Sequence, residues 1–222
     1  MNLRKVQIIK NLLQEIKIKE NGPVSDSMSR MGLIYKKNHG VSIQELKDLA
    51  KKYEADTDLA ANLREMNIRE TMILGIFLED RNNITDEKIE HIVQNIPNIE
   101  IAEQTCMNLL ENIPTCFNKA YNWVQSESEF VKVTAYILYS RLALKNINLE
   151  NSFFEKLINF SSSDFENKHY HVRMSLSRAL RNIALRNHIL KGKVLNQVEK
   201  IKHNKSEFSS LIYEEVAELL KY

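Results

Sequence analysis

Residues that break helices or cross-link chains are scarce in this sequence. Its 222 residues include five glycines, three prolines, two cysteines and one tryptophan. So few breakers, together with many Leu, Ile, Lys, Glu and Asn residues, favour an all-helical chain with short connections. Cys106 and Cys116 follow no metal-ligand spacing, so we predict packed, reduced thiols in a cytoplasmic protein. We expect neither a metal nor a cofactor.

Membrane and phosphate-loop signals are absent as well. No apolar run approaches the ~20 residues of a membrane span, and the start of the chain lacks the apolar core of a signal peptide. No glycine-rich phosphate-binding motif occurs. The hydrophobic content of 43% and the charged content of 27% are ordinary for a soluble globular protein. We therefore expect no membrane partner.

Apolar periodicity predicts a series of short helices along the whole chain. Ser42, followed three residues later by Glu45, has the pattern of a capping box at a helix start. Pro114 is predicted to open another helix, and Ser161-Ser162-Ser163 is predicted to be a loop. Paired helices joined by short turns indicate a repeat.

Two segments align at an offset of 41 residues, where Val131-Lys132-Val133 matches Val172-Arg173-Met174. Ile68-Arg69 enters its helix in the same way, so Arg69, Lys132 and Arg173 are predicted to share one repeat position. This period fits an all-α, HEAT-like α-solenoid of stacked antiparallel helix pairs. We predict one such domain over residues 1–222. The alternative is a chance match between helices rich in Leu and Ala.

A strongly basic stretch runs from Lys168 to Lys205. It holds ten basic residues and one acid, a charge of +9 in a chain whose total charge is +2. Its members are Lys168, Arg173, Arg178, Arg181, Arg186, Lys191, Lys193, Lys200, Lys202 and Lys205. Within it, residues 170–185 are predicted to form a helix that packs on one side and carries Arg178 and Arg181 on the other. Such a face can hold a polyanion, although a solvated polar face has the same pattern.

These patterns predict that double-stranded DNA is held by its phosphates in a basic groove. The predicted contacts are Arg69, Lys132, Arg173, Arg178 and Arg181. Lys36 and Lys37 either touch the DNA backbone or lie in a solvated loop. An acidic protein partner is the alternative to DNA, because helical solenoids also bind proteins.

Four segments, in order, resemble the signatures of the DNA alkylation repair (AlkD-like) glycosylases. The first is Gly40-Val41-Ser42-Ile43-Gln44-Glu45-Leu46-Lys47-Asp48-Leu49-Ala50-Lys51-Lys52-Tyr53, and the second is Asn67-Ile68-Arg69-Glu70-Thr71-Met72-Ile73-Leu74. The third is Trp123-Val124-Gln125-Ser126-Glu127 followed by Phe130-Val131-Lys132. The fourth is Val172-Arg173-Met174-Ser175-Leu176-Ser177-Arg178-Ala179-Leu180-Arg181. The resemblance implies a HEAT-like solenoid that binds damaged duplex DNA, hydrolyses the bond to an alkylated purine and acts in base excision repair.

The catalytic positions of that family are altered in this chain. Members that cleave use a tryptophan and, four residues later, an aspartate, which match Ile99 and Glu103 here. A second tryptophan is expected where this chain has Arg178. The resemblance makes Glu103 the candidate catalytic carboxylate, in a site whose two aromatic faces are gone. An ion pair between Glu103 and Arg178 would occupy that carboxylate, and Glu103 as a helix residue without a catalytic role is the other interpretation.

Two other sets of residues remain open to two interpretations. His169 and His171 lack a third metal ligand at a suitable spacing, so we expect a phosphate contact or ordinary loop histidines. Tyr136 and Tyr139 could stack on bases or pack in the core.

Overall fold

The structure of the chain is a computed structural model that describes residues 3–203 and 206–218. Its contacts divide the chain into two compact units, Met1–Glu90 and His91–Tyr222, hereafter unit 1 and unit 2. A single domain over the whole chain stays a prediction. Among the described residues, no helix is both long enough and apolar enough to cross a bilayer.

Unit 1 is built from short helices. They are α1 (Leu3–Ile18), α2 (Gly22–Arg30), α3 (Ile43–Ala50), α4 (Thr57–Glu65), α5 (Arg69–Phe77) and the first part of α6 (Asp86–Gln94). Unit 1 ends at Glu90, within α6. Helix α5 packs against α3 and α4 and is buried along nearly its whole length. An isolated parallel bridge joins Lys37 to Ile68 at the start of α5.

Local signals place the helix starts of unit 1. The predicted capping box is confirmed, because the Ser42 hydroxyl accepts the Glu45 N–H while the Glu45 carboxylate accepts the Ser42 N–H. Gly40 has φ +69°, and a Cβ there would lie 2.1 Å from the carbonyl oxygen of Asn21. Only glycine fits this position, so the chain can pass tightly over the start of α2.

Unit 2 continues the series of helices. It contains α7 (Ile99–Asn108), α8 (Thr115–Val124), α9 (Glu129–Lys145), α10 (Asn151–Phe160), α11 (Tyr170–Ala184), α12 (His188–Val198) and α13 (Glu207–Tyr213). Short 3-10 turns lie at Leu110–Asn112, Ser161–Asp164 and Glu199–Ile201, and a π-turn follows at Glu214–Glu218. Lys205, the last residue of the basic stretch, lies outside the described residues, and so does the end of the helix that the sequence predicts after it.

Helix α9 is the centre of unit 2. It packs against α7, α8 and α11, and residues 131–140 are all buried. Because it is covered by neighbours on several sides, α9 shows no simple apolar stripe. Tyr136 and Tyr139 are fully buried in it, so the core interpretation of both tyrosines is correct.

The structure corrects the loop predicted at Ser161-Ser162-Ser163. Ser161–Asp164 forms a 3-10 turn directly after α10, and Ser161 is fully buried with its hydroxyl donating to the carbonyl of Ile158 at 2.7 Å. The serine hydroxyls satisfy carbonyls at the helix end, which lets the turn enter the core. This turn delivers Asp164 to the interior, where it meets Lys132.

Candidate nucleic-acid interface

An ion pair lies at the predicted catalytic position. Glu103 of α7 and Arg178 of α11 come together with 2.9 Å between Arg178 Nη1 and Glu103 Oε1. Both helices flank and pack on α9, so the pair joins the two neighbours of the central helix. The side chains are 42% and 50% exposed, which places the pair on the surface of unit 2. Ile99, one turn earlier on α7, is partly exposed.

The ion pair gives the carboxylate a cationic partner in place of an aromatic one. Breaking a base–sugar bond builds positive charge on the sugar, which a free carboxylate stabilises. The guanidinium of Arg178 competes for Glu103 and repels a developing cation. The site formed by Glu103 and Arg178 is therefore better suited to binding an anion than to stabilising a cation.

Arg181 lies on the same side of α11 as Arg178, because residues three apart are neighbours on a helix surface. It is half-buried, and its side chain has no hydrogen-bond or ion-pair partner within residues 3–203 and 206–218. We call Arg178 and Arg181 the arginine pair. They are the predicted DNA contacts that the structure leaves at the surface.

The other three predicted contacts, Arg69, Lys132 and Arg173, are buried with their cations bound inside the fold, and their contact with phosphate stays a prediction. Lys132 is 8% exposed and lies 2.8 Å from the carboxylate of Asp164. Its ammonium also donates to the carbonyl of Val124, at the end of α8, at 2.9 Å. The Tyr136 hydroxyl donates to the same Asp164 carboxylate, and burial together with that negative charge raises the pKa of Tyr136 well above its usual value.

Arg173 and Arg69 are buried in comparable ways. Arg173 Nη1 donates to the carbonyl of Asn167 at 2.5 Å, and its guanidinium lies 3.7 Å from the ring centroid of Phe208. Arg69, only 3% exposed, donates to the carbonyl of Val41 at 2.7 Å and pairs with the buried Glu70 at 3.1 Å. A phosphate contact would require each cation to leave a partner in the interior.

The remaining cations of the basic stretch do not form one uninterrupted basic face. Arg186 donates to the carbonyls of Leu142, Ala143, Asn146 and Leu149 and thereby caps the end of α9. Lys193 pairs with Glu155 at 2.8 Å, and Lys202 approaches Glu199 at 3.5 Å. The Nδ1 of His169 lies 3.0 Å from the carboxylate of Glu129. The charge of the stretch is thus partly neutralised, by Glu155 from another segment and by Glu199 from the stretch itself.

The cysteines and histidines of the described residues are not grouped as metal ligands. Cys106 and Cys116 are buried and form no disulfide, as predicted for packed thiols. Burial raises the pKa of the Cys106 thiol well above its usual value, which keeps it protonated. Across the described ranges, no group of three or more His, Cys, Asp or Glu side chains is placed to hold a metal ion.

Comparison with known proteins identifies the family. A family model described as DNA alkylation repair enzyme matches residues 12–220, which is almost the entire chain. The chain belongs to the DNA alkylation repair enzyme family. A search of curated proteins finds no match.

Similarity to a solved structure shows which fold the chain has. That protein is described as one of a new family related to the HEAT-like repeat DNA glycosylases, with affinity for branched DNA structures. The similarity has a TM-score of 0.77 at 15% identity and covers 93% of this chain and 92% of the other. The all-α, HEAT-like fold predicted from the sequence is therefore confirmed.

The sequence did not predict the structural roles of Asp164, which binds Lys132 and Tyr136, and of Arg186, which caps α9. A signal for Asp164 was present, since a cation that recurs at one repeat position can pair with an acid between helices. In the sequence, the recurrence of Lys132 and Arg173 is interpreted as a sign of a binding surface. Both residues lie in the first turn of a helix, where each cation reaches a carbonyl of the preceding segment.

Proposed function

We propose that this protein binds double-stranded DNA through the phosphate backbone and has weak or no alkylpurine glycosylase activity. The observation that carries the proposal is the ion pair between Glu103 and Arg178. A cytoplasmic location and a role in base excision repair are further parts of the proposal, and the assays below do not depend on them.

Loss of glycosylase activity follows from the charge at this position. A cationic sugar about 4 Å from the Arg178 guanidinium would be repelled by about 4 kcal/mol at an effective dielectric constant of ~20. That amounts to roughly a thousandfold in rate. Glu103 neutralises Arg178 only while it stays bound to it, and the bound carboxylate is then less available to the sugar. Ile99 offers no aromatic face to compensate.

DNA binding is supported by the family, by the relative with affinity for branched DNA, and by the arginine pair. Arg178 and Arg181 are one helical turn apart at the surface of unit 2, and a guanidinium matches the geometry of a phosphate. Contacts to phosphates carry no sequence information, so this binding is sequence-independent and weakens with salt.

The binding test is a salt series on duplex DNA. We expect Arg178→Gln combined with Arg181→Gln to weaken binding and to reduce the slope of log affinity against log salt by about two, at about 0.9 per phosphate contact. The matched control is Lys193→Gln, which removes a surface cation that is already paired with Glu155. An equal loss in the control, or wild-type affinity only in the millimolar range at low salt, would refute the proposed interface.

The activity test is the release of bases from DNA that carries N-alkylated purines. We expect release close to the protein-free background for the wild type. Measurable release that is abolished by Glu103→Gln would instead establish Glu103 as the catalytic carboxylate. Release that survives this substitution would show activity from another group and would contradict both assignments.

A second candidate function is a scaffold for an acidic protein partner. Leu144, Ile147 and Leu185 are 60–85% exposed, and they line a cavity of about 360 Å³ in unit 2. Exposed aliphatic side chains around a cavity suit a protein better than a phosphate backbone. A partner retained from nuclease-treated lysate by the wild type, but lost by Leu144→Ser with Leu185→Ser, would favour the scaffold. A partner released by nuclease would favour DNA.

A further inference from the structure

The end of α2 and the loop that follows it carry aliphatic side chains and cations together at the surface of unit 1. Met31 and Ile34 are 71% and 77% exposed, which is unusual for large apolar side chains. Arg30, Lys36 and Lys37 are exposed as well, and residues 30–37 contain no acid. None of these three cations has an ion-pair partner among the described residues. We call residues 30–37 the 30–37 loop.

The first half of the loop is held by a Schellman motif at the end of α2. Gly32 takes φ +85° and donates its N–H to the carbonyl of Ser29 at 3.0 Å. The N–H of Leu33 donates to the carbonyl of Met28 at 3.0 Å, which closes the motif. The chain reversal at Gly32 places the neighbouring Met31 at the surface, so the backbone conformation accounts for the exposure of the Met31 side chain.

The second half of the loop is tied to the buried core of unit 1. The Lys37 carbonyl accepts the N–H of Arg69 at 3.0 Å. Two residues later, the N–H of His39 donates to the fully buried carboxylate of Glu70 at 3.1 Å. Arg69 and Glu70 begin α5, so the loop is anchored on a rigid helix. These backbone hydrogen bonds fix the end of the 30–37 loop on the start of α5.

We propose that the 30–37 loop is an apolar wedge that binds DNA where base stacking is interrupted, as at a branch point. The proposal rests on the DNA binding proposed above and adds the feature of the substrate that is recognised. Met31 and Ile34 would cover the exposed face of a terminal base pair, while Arg30, Lys36 and Lys37 would contact the flanking phosphates.

The chemistry of the loop favours this partner. Proteins that kink or cap DNA insert Met, Leu, Ile or Phe side chains between base steps, and unstacking each step costs free energy. At a branch point the stack is already open, so this cost is absent. An intact duplex gives the aliphatic side chains no apolar surface, whereas its phosphates still attract the cations. The loop therefore discriminates branched from continuous DNA.

The test compares a three-way junction with a continuous duplex of the same length, using the full chain. Met31→Ser combined with Ile34→Ser should weaken junction binding at least about tenfold, the value of about 1.4 kcal/mol of apolar burial. Duplex binding should stay within about twofold. Leu3→Ser is the matched control, because it removes an aliphatic side chain that is 89% exposed on α1, outside the loop. A 2-aminopurine base at the branch point should change its fluorescence with the wild type and with Leu3→Ser, and not with the double variant.

The outcomes separate this proposal from the proposed function. If the wild type binds neither DNA, the proposed function fails and the wedge fails with it. If the wild type binds both and the double variant keeps its junction affinity, only the wedge is wrong. Equal losses on junction and duplex would also overturn it. Binding of the wild type to phosphatidylserine vesicles that the double variant loses, with junction affinity unchanged, would reassign the loop to a lipid surface. Thermal unfolding of both variants should match the wild type, because the substituted side chains are exposed.

Discussion

Removing the charge of Glu103 should tighten DNA binding. Glu103 holds the Arg178 guanidinium at 2.9 Å, and the pair is about half exposed. Exposed ion pairs are worth roughly 0.2–1 kcal/mol, which Arg178 must give up to contact a phosphate. A Glu103 carboxylate left about 7 Å from that phosphate adds about 0.6 kcal/mol of repulsion in water. Glu103→Gln should remove both costs, roughly 0.8–1.6 kcal/mol, which is about a four- to fifteenfold gain in affinity.

Fluorescence anisotropy on a labelled duplex at about 0.1 M salt, where the Debye length is ~10 Å, measures this gain. The comparison is repeated in an Arg178→Gln background, where Glu103→Gln should give a gain only from the repulsive part, which is about threefold in affinity. Glu155→Gln is the matched control, because it frees Lys193 from an equivalent surface pair.

An unchanged or lower affinity for Glu103→Gln would refute the reasoning. A full gain that persists without Arg178 would show that the carboxylate acts on DNA through its charge alone. In that case the ion pair would have no part in binding. The stability of Glu103→Gln should fall by at most ~1 kcal/mol, since both side chains are exposed.

Three further predictions concern stability. Lys132→Met should lower the free energy of unfolding by about 3–5 kcal/mol in urea titration, because the buried Asp164 carboxylate loses its ionic partner; a loss below ~1 kcal/mol would contradict this role. Gly40→Ala should lower the melting temperature strongly, because its Cβ would clash with backbone at positive φ, whereas Gly192→Ala in α12, with no atom within 4 Å, should leave it equal or higher. Burial alone would raise the pKa of Glu111, but hydrogen bonds from the side chains of Arg141 and Lys145 outweigh burial and hold that pKa below its usual value. This stabilisation is present above about pH 4.3 and is lost as the pH falls through the lower folded pKa, so Glu111→Gln should flatten the acid side of the stability curve.

The sequence by itself determined the helical character of the chain and its family. Few breakers, apolar periodicity and local caps act within a few residues, so the helix starting after Ser42 could be placed without tertiary information. The ordered signatures indicated the alkylation repair family, which the match over residues 12–220 confirms. The candidate catalytic role of Glu103 stays a prediction.

Only the tertiary structure decided what each cation does. Lys132 meets a carboxylate 32 positions away, and Arg178 meets one 75 positions away. The family resemblance made the pair of Glu103 and Arg178 one interpretation among others, and the recurrence of cations at one repeat position did not identify Asp164 as the partner of Lys132. A helix face shows which side chains point together, but it does not show whether that side meets solvent or another helix. Arg69, Lys132 and Arg173 turn inward, where desolvation demands a partner, while Arg178 and Arg181 remain at the surface of unit 2. The same residue types therefore serve the fold in one place and are open to a phosphate in the other.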